Sequence, residues 1–451
     1  MPTAIDLLVE PGWIIPIEPA GAVLADHALA IDRGRIVALL PAAEAAGQYA
    51  PREHVRLPGQ VLLPGLVNAH THAAMALLRG YADDLPLMRW LNERIWPAER
   101  DHVAPDFVRD GTLLASWEML RGGITCFNDM YFFPEAAAEA ACLAGIRAVL
   151  GVTVIEFPTA YAADPGDYLA KGLAVRDALR DEPLVTFTLA PHAPYTVSDR
   201  TFERVATLAA QLDLPIHIHL HETRAEIDES IGSHGVRPVE RLRRLGLLGP
   251  NLIAVHAVHL EDREIDELAA HGCFVAHCPT SNLKLASGLA PVAELLAAGV
   301  RVALGTDGAA SNNRLDILRE MRQAALLAKV VSGDAMRIAA HQALRMATLD
   351  GAAALGMESA IGSLVPGKWA DLCAIRLDEW ITLPCHDPAS HVVHVAGRDQ
   401  VSHVWVAGRL RIRDGMPVGV SPSELIGIGA SWHNRITLPG GRDGADAREN
   451  N

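Results

Sequence analysis

The sequence predicts an α/β chain: a (β/α)8 TIM barrel with a small β-sandwich domain built from its N- and C-terminal segments. Three observations predict it. Eight short β-rich apolar runs occupy the middle of the chain, and each is followed by a stretch of helical periodicity. Polar, chemistry-bearing side chains recur at the carboxyl ends of those runs. The two ends of the chain carry short strand-like runs and tight turns instead.

The eight runs are VLLPGLVNAHTH (61–72), ITCFNDM (124–130), RAVLGVTV (147–154), VTFTLAPHAPY (185–195), PIHIHLHET (215–223), LIAVHAVHL (252–260), CFVAHCPTSN (273–282) and VRVALGTDG (300–308). Between them lie amphipathic segments such as 106–120, 201–212 and 315–328. Eight such units over about 250 residues match the size of a closed parallel barrel. Residues 1–60 include ALAIDRGRIVALL, where Gly34 marks a hairpin turn. Residues 361–430 repeat that style in GSLVPGKWADLCAIR and SHVWVAGRLRIRDG. The expected layout is a composite β domain from 1–60 and 361–430, a barrel over 61–360, and a loosely ordered polar tail over 431–451.

The composition is that of a globular protein, with 451 residues, 50% hydrophobic and 21% charged. A formal net charge of −15 argues against nucleic acid as a partner, because phosphate neutralisation needs a basic face. No run of 18 apolar residues appears, so no membrane partner is expected. The opening MPTAIDLLVEPGW lacks a basic start and an apolar stretch, and none of the six cysteines forms a C-x-x-C pair. A cytoplasmic protein with reduced, mostly buried thiols follows.

The polar residues at the run ends point to a metal. Run one ends in His70 and His72, run four in His192, and run five holds His217, His219, His221 and Glu222. Run six holds His256 and His259, run seven His277, and run eight ends in Asp307. Residues i and i+2 of a strand share a face, so His70 and His72 can meet one ion. The same holds for His217, His219 and His221, and alternation does not choose among them. A lone H-x-H often merely caps a strand, Asp307 alone could shape a turn, and His259, His271 and His277 read as packing residues. Three imidazoles and a carboxylate at one rim suit Zn²⁺, Fe²⁺ or Mn²⁺. Serine-nucleophile elbows and Walker loops are absent.

The run PGLVNAHTHAAMALLRGYADDLPLMRWL…IWPAE (64–99) resembles the amidohydrolase superfamily, and more narrowly its 5′-methylthioadenosine/S-adenosylhomocysteine deaminases. The resemblance continues through APHAPYTVSD (190–199), IHLHET (218–223), VHAVHL (255–260), HCPTSNLKLASG (277–288), GTDGAASNN (305–313) and IGSLVPGKWADL (361–372). It implies one zinc ion per subunit on His70, His72, His219 and Asp307, and the choice of His219 rests on the family pattern. It implies Glu222 as the proton-transferring carboxylate, His256 as the imidazole that orients the attacking water, and Asp307 as a base. Glu99 and His192 match positions that contact the nucleoside, with Glu222 and Asp307 beside the reacting ring. Runs three and four contain no lysine, so the bridging lysine of binuclear relatives is missing. The implied reaction is hydrolytic deamination of an adenine ring, and relatives of this kind commonly form homo-oligomers.

Substrate choice among methylthioadenosine, S-adenosylhomocysteine and adenosine is less legible. A homocysteine carboxylate needs a basic partner. Residues 148–170 hold none, and Arg147 lies deep at the start of run three. Methylthioadenosine is therefore the favoured substrate. The segment 81–96 reads either as a lid, with Trp90, Met88 and Leu85 over the substrate, or as a helix packed on the rim. Asn312 and Asn313 read as polar contacts or as turn formers. Two other readings compete: a guanine or cytosine deaminase or triazine chlorohydrolase with the same metal site, and a non-catalytic metal-binding scaffold.

Overall fold

The structure, a computed structural model, describes residues 1–437. Its centre is a parallel barrel of eight strands: β1 (Leu66–Thr71), β2 (Ile124–Asp129), β3 (Arg147–Val154), β4 (Val185–Pro191), β5 (Ile216–Leu220), β6 (Leu252–His256), β7 (Phe274–His277) and β8 (Arg301–Leu304). Each pairs with the next in chain order. Helices return the chain between strands, and several start at side-chain caps such as Ser198, Thr223 and Asp316. Each of the eight apolar runs contains one barrel strand.

The strands are apolar throughout because both faces are covered, as expected of a parallel sheet. Register then decides what reaches the rim. His219 lies opposite Val255 and Leu220 opposite His256, so β5 and β6 end level and their histidines emerge together. The seam between β8 and β1 closes partly through side chains. Asn68 accepts from the Thr306 N–H (2.9 Å) and donates to Thr306 Oγ1 (2.7 Å), while His70 O accepts from the Thr306 and Asp307 N–H groups (3.1 and 3.0 Å).

The first run splits. Val61–Pro64 closes the long strand Tyr49–Pro64 of a second sheet, and the chain enters the barrel after Gly65. A Cβ at Gly65 would lie 2.1 Å from Thr125 Oγ1, so only glycine lets the chain cross there. The second sheet has nine strands drawn from Thr3–Pro64 and from Leu372–Pro417. It folds back on itself. The hairpin turn at Arg33 and Gly34, both with positive φ, meets the turn at Ala407 and Gly408, and a Cβ on Gly34 would lie 2.5 Å from Ala407 O. Leu7, Leu29, Ile31, Leu57, Leu372 and Trp405 form the apolar cluster enclosed by the fold-back.

Asp371 ties this sheet to the barrel. Its carboxylate accepts from Arg147 Nε (2.7 Å), Arg147 Nη2 (3.1 Å) and the Ala407 N–H (2.8 Å), and its carbonyl accepts from the Gly65 N–H. Near the C-terminus, residues 431–437 were expected in a loose tail but complete the helix Pro422–Thr437. Trp432 is 2% exposed, meets Phe107 edge-on at 5.2 Å and donates to Asp110 (2.9 Å). The rest of that tail, 438–451, lies outside the described residues. All six cysteines are free. Among the described residues, no helix is long and apolar enough to cross a membrane.

Candidate active site

Four side chains from separate strands converge at the carboxyl rim. Donor atoms of His70, His219, His256 and Asp307 lie within 4.8 Å of one another, and all four residues are buried. Asp307 Oδ1 is 3.2 Å from His70 Nε2 and 3.3 Å from His72 Nε2. His70 Nε2 and His219 Nε2 are 3.3 Å apart. His72 thus faces the same carboxylate, and its ring lies 5.3 Å from that of His219.

The rings are aimed from behind. His72 Nδ1–H donates to Met130 O (2.6 Å), His219 Nδ1–H to His192 O (2.9 Å) and His256 Nδ1–H to Asn282 Oδ1 (2.9 Å). Each ring nitrogen committed in this way leaves the Nε2 lone pair facing inward, the arrangement that metal-ligating histidines adopt. His70 Nδ1 sits 2.9 Å from His217 Nε2 in a ring-to-ring hydrogen bond. Asp307 is fixed by three donors: Ser281 Oγ and Ser311 Oγ on Oδ2 (2.6 Å each) and the Gly308 N–H on Oδ1 (2.8 Å).

Electrostatics favour a cation here. Burial pushes His70 down to about 4 and His219 well below the usual imidazole range, so both rings are neutral. Burial works against charge on Asp307 too, yet the His70 and His72 hydrogen bonds hold it well below the ordinary carboxylate range. Burial would also lower His72, but Asp307 outweighs it and raises that ring to about 9, so a divalent ion bound there would take the place of its Nε2 proton. One carboxylate among inward-facing imidazole nitrogens is a donor set for a borderline divalent ion such as zinc. The backbone is strained at the same place, with φ of +72° at His256, +59° at Asp307 and +57° at His221.

Glu222 stands beside this cluster, Oε2 3.8 Å from His256 Nε2 and Oε1 3.5 Å from Ser287 Oγ. Burial raises its pKa above the ordinary carboxylate value. Its backbone is clamped by Glu226, whose two oxygens accept from the His221 and Glu222 N–H groups at 2.8 Å each.

A cavity of about 520 Å³ opens next to the cluster. His72, Glu99 and His192 line it, with an apolar wall from Trp96, Phe132, Ile155, Phe157 and Tyr161. Trp90 does not belong to that wall. It is buried within its own loop, its indole donating to Ala82 O (2.9 Å), and Trp96 takes the place expected for it. Met88 is exposed and Leu85 packs on the core. Asn312 and Asn313 shape the loop after β8, donating to Thr306 O (2.7 Å) and Asp83 (3.2 Å). His259 and His271 donate to Ser287 O and Glu267 O, as packing residues would. The supporting residues Ser281, Asn282 and Ser311 lay inside the quoted motifs but carried no signal of their own. Tyr131, which donates to Glu99, stood in no motif.

The amidohydrolase family pattern matches residues 61–411. The chain belongs to the amidohydrolase family. Within the family it is 48% identical over 434 residues to the 5-methylthioadenosine/S-adenosylhomocysteine deaminase of Teredinibacter turnerae, covering 96% of this chain and 98% of that protein. The crystal structure of an adenosine deaminase from Xanthomonas campestris with bound zinc superposes with a TM-score of 0.95 at 49% identity, covering 97% and 99% of the two chains. The zinc complex of atrazine chlorohydrolase from Arthrobacter aurescens shares the amidohydrolase fold more distantly, at a TM-score of 0.87 and 26% identity over 94% and 99%.

Proposed function

We propose that this amidohydrolase removes the 6-amino group of 5′-methylthioadenosine by hydrolysis, with one zinc ion held by His70, His72, His219 and Asp307. The observation that carries the reading is the meeting of inward-facing imidazoles, one ionised carboxylate and a buried Glu222 of raised pKa at the mouth of one apolar cavity. Held by those residues, zinc would supply Lewis acidity and let water give up a proton near neutral pH. Asp307, held ionised, accepts the proton of the attacking water. His256, braced on Asn282, presents Nε2 to that water and fixes its approach to C6. Glu222 protonates the ring nitrogen next to C6, which makes the ring electron-poor; Asp307 then hands its proton to the departing amine while Glu222 takes up the proton of the new C6 hydroxyl. Ammonia leaves and a 6-oxo purine nucleoside remains.

Glu99 and His192 face the cavity where the ribose of a nucleoside would lie, which favours this substrate class over a free base or a triazine. The apolar wall suits a methylthio group. Arg147 cannot serve a homocysteine carboxylate, because it is 3% exposed and already paired with Asp371. Among the described residues, Arg100 is the one cation on the wall, and its side chain is 75% exposed. S-adenosylhomocysteine is therefore expected to be the slower substrate, and adenosine, lacking the methylthio group that the apolar wall suits, slower as well. The relatives' deaminase names agree with the chemistry. We also place the enzyme in the cytoplasm as a homo-oligomer, as the family resemblance implies. Ammonia release by the zinc-loaded protein, compared over the three nucleosides, guanine and a chlorotriazine, tests the assignment. The highest kcat/KM is expected for methylthioadenosine, and turnover of guanine or the triazine alone would overturn it.

A further inference from the structure

Tyr131 follows β2 and reaches into the cavity wall beside His72, the two rings 6.5 Å apart. Its hydroxyl donates to Glu99 Oε1 at 2.7 Å. Glu99 sits on the short helix Trp96–His102, so this bond ties the rim segment after β1 to the end of β2. The backbone of Tyr131 is itself anchored: its carbonyl accepts from Thr153 Oγ1 (3.0 Å) on β3. One carboxylate oxygen is thereby held by a rigid donor, and the carboxylate is turned to face the cavity.

We infer that Tyr131 is a positioning residue for nucleoside binding, orienting Glu99 and keeping it an acceptor for the vicinal hydroxyls of the ribose. The inference rests on the deaminase reading above. A vicinal diol offers two O–H donors, and an ionised carboxylate is the side chain that accepts both. A protonated glutamic acid would lose most of that capacity.

The protonation balance supports the assignment. Burial lifts Glu99 to about 7, and the Tyr131 hydrogen bond pulls against it. Burial also raises Tyr131 well above the usual phenol range, so it stays a donor at every working pH. The other titratable or charged groups on the cavity wall are Arg100, adjacent on the same helix, His192 after β4 and the phenol of Tyr161. His192 is held neutral by burial at about 3, and burial raises Tyr161 as well. Nucleoside binding therefore weakens as pH falls through the Glu99 range, and removing the Tyr131 hydroxyl shifts that range upward.

The test is a set of steady-state pH profiles with methylthioadenosine for the zinc-loaded wild type, Tyr131→Phe, Glu99→Gln and the double variant. Tyr131→Phe is expected to raise KM about tenfold, to leave kcat within about threefold, and to move the pH at which KM climbs upward. In the Glu99→Gln background the same change is expected to add little, because the carboxylate it serves is gone. An unmoved pH midpoint, a loss confined to kcat, or full additivity in the double variant would overturn the inference while leaving the deaminase reading intact. Absence of nucleoside deamination by the wild type would reject the deaminase reading, and the inference with it.

Discussion

At the scale of single residues, the site separates groups that hold charge from groups that move a proton. Glu222 is buried and raised in pKa, while Asp307 is buried yet kept ionised by its histidine partners. Two carboxyls whose pKa values are pushed in opposite directions can serve as acid and base at one pH. Glu222→Gln keeps the shape and removes the proton, so kcat should fall by roughly 10²–10⁴-fold with zinc content unchanged. Retained turnover in an ammonia assay would show the proton moves elsewhere. Asp307 depends in turn on Ser281 and Ser311, each 2.6 Å from Oδ2. Ser311→Ala should weaken zinc binding roughly 10–100-fold, measured by competition with a chelating dye.

Elements carry these residues to one place. Equal ending of β5 and β6 brings His219 and His256 to the same level, and the side-chain seam at Asn68 sets β8 against β1 so that Asp307 meets His70. The Arg147–Asp371 pair fastens β3 to the outer sheet with both side chains 3% or less exposed. Deleting one partner strands a buried charge, so Asp371→Ala should cost about 3–5 kcal/mol in urea unfolding. The KM of the folded fraction should not change, because the pair lies away from the cavity. A change in KM without loss of stability would mean the outer sheet shapes the substrate site directly.

Over the whole molecule, two linkages follow. Burial is the main reason Glu226 rises to about 8 and Glu320 to about 7, against an ordinary 4.5. Each binds a proton in the fold that the unfolded chain has released, so each favours the fold at low pH. That contribution is lost as pH rises from about 4.5 through the folded values. The urea midpoint should therefore decline between pH 6 and 8, and Glu320→Gln should flatten that decline; an equal slope in the variant would assign the effect to other groups. Zinc binds only the folded cluster, so stripping it with a chelator should both stop ammonia release and lower the melting temperature, and added zinc should restore both. Unchanged melting after complete removal would mean the site is assembled independently of the ion.

The sequence by itself pointed to the barrel, because eight apolar runs with helical returns over about 250 residues, with polar residues gathered at the run ends, match a closed parallel barrel. It also placed His70, His72, His219, Glu222, His256 and Asp307 at strand ends, where a barrel gathers them. Alternation left His217, His219 and His221 equivalent. Tertiary structure separated them by depth: His217 sits behind His70, His219 faces the cluster, and His221, past the strand end at φ +57°, turns to His259 O. Trp90 and Trp96 likewise differ only in which side of one short segment meets the cavity. Strand period and composition are local properties, and a chain states them residue by residue. Depth in the barrel, the partner of each imidazole nitrogen and the Tyr131–Glu99 contact depend on segments far apart in sequence, and only their packing together decides them.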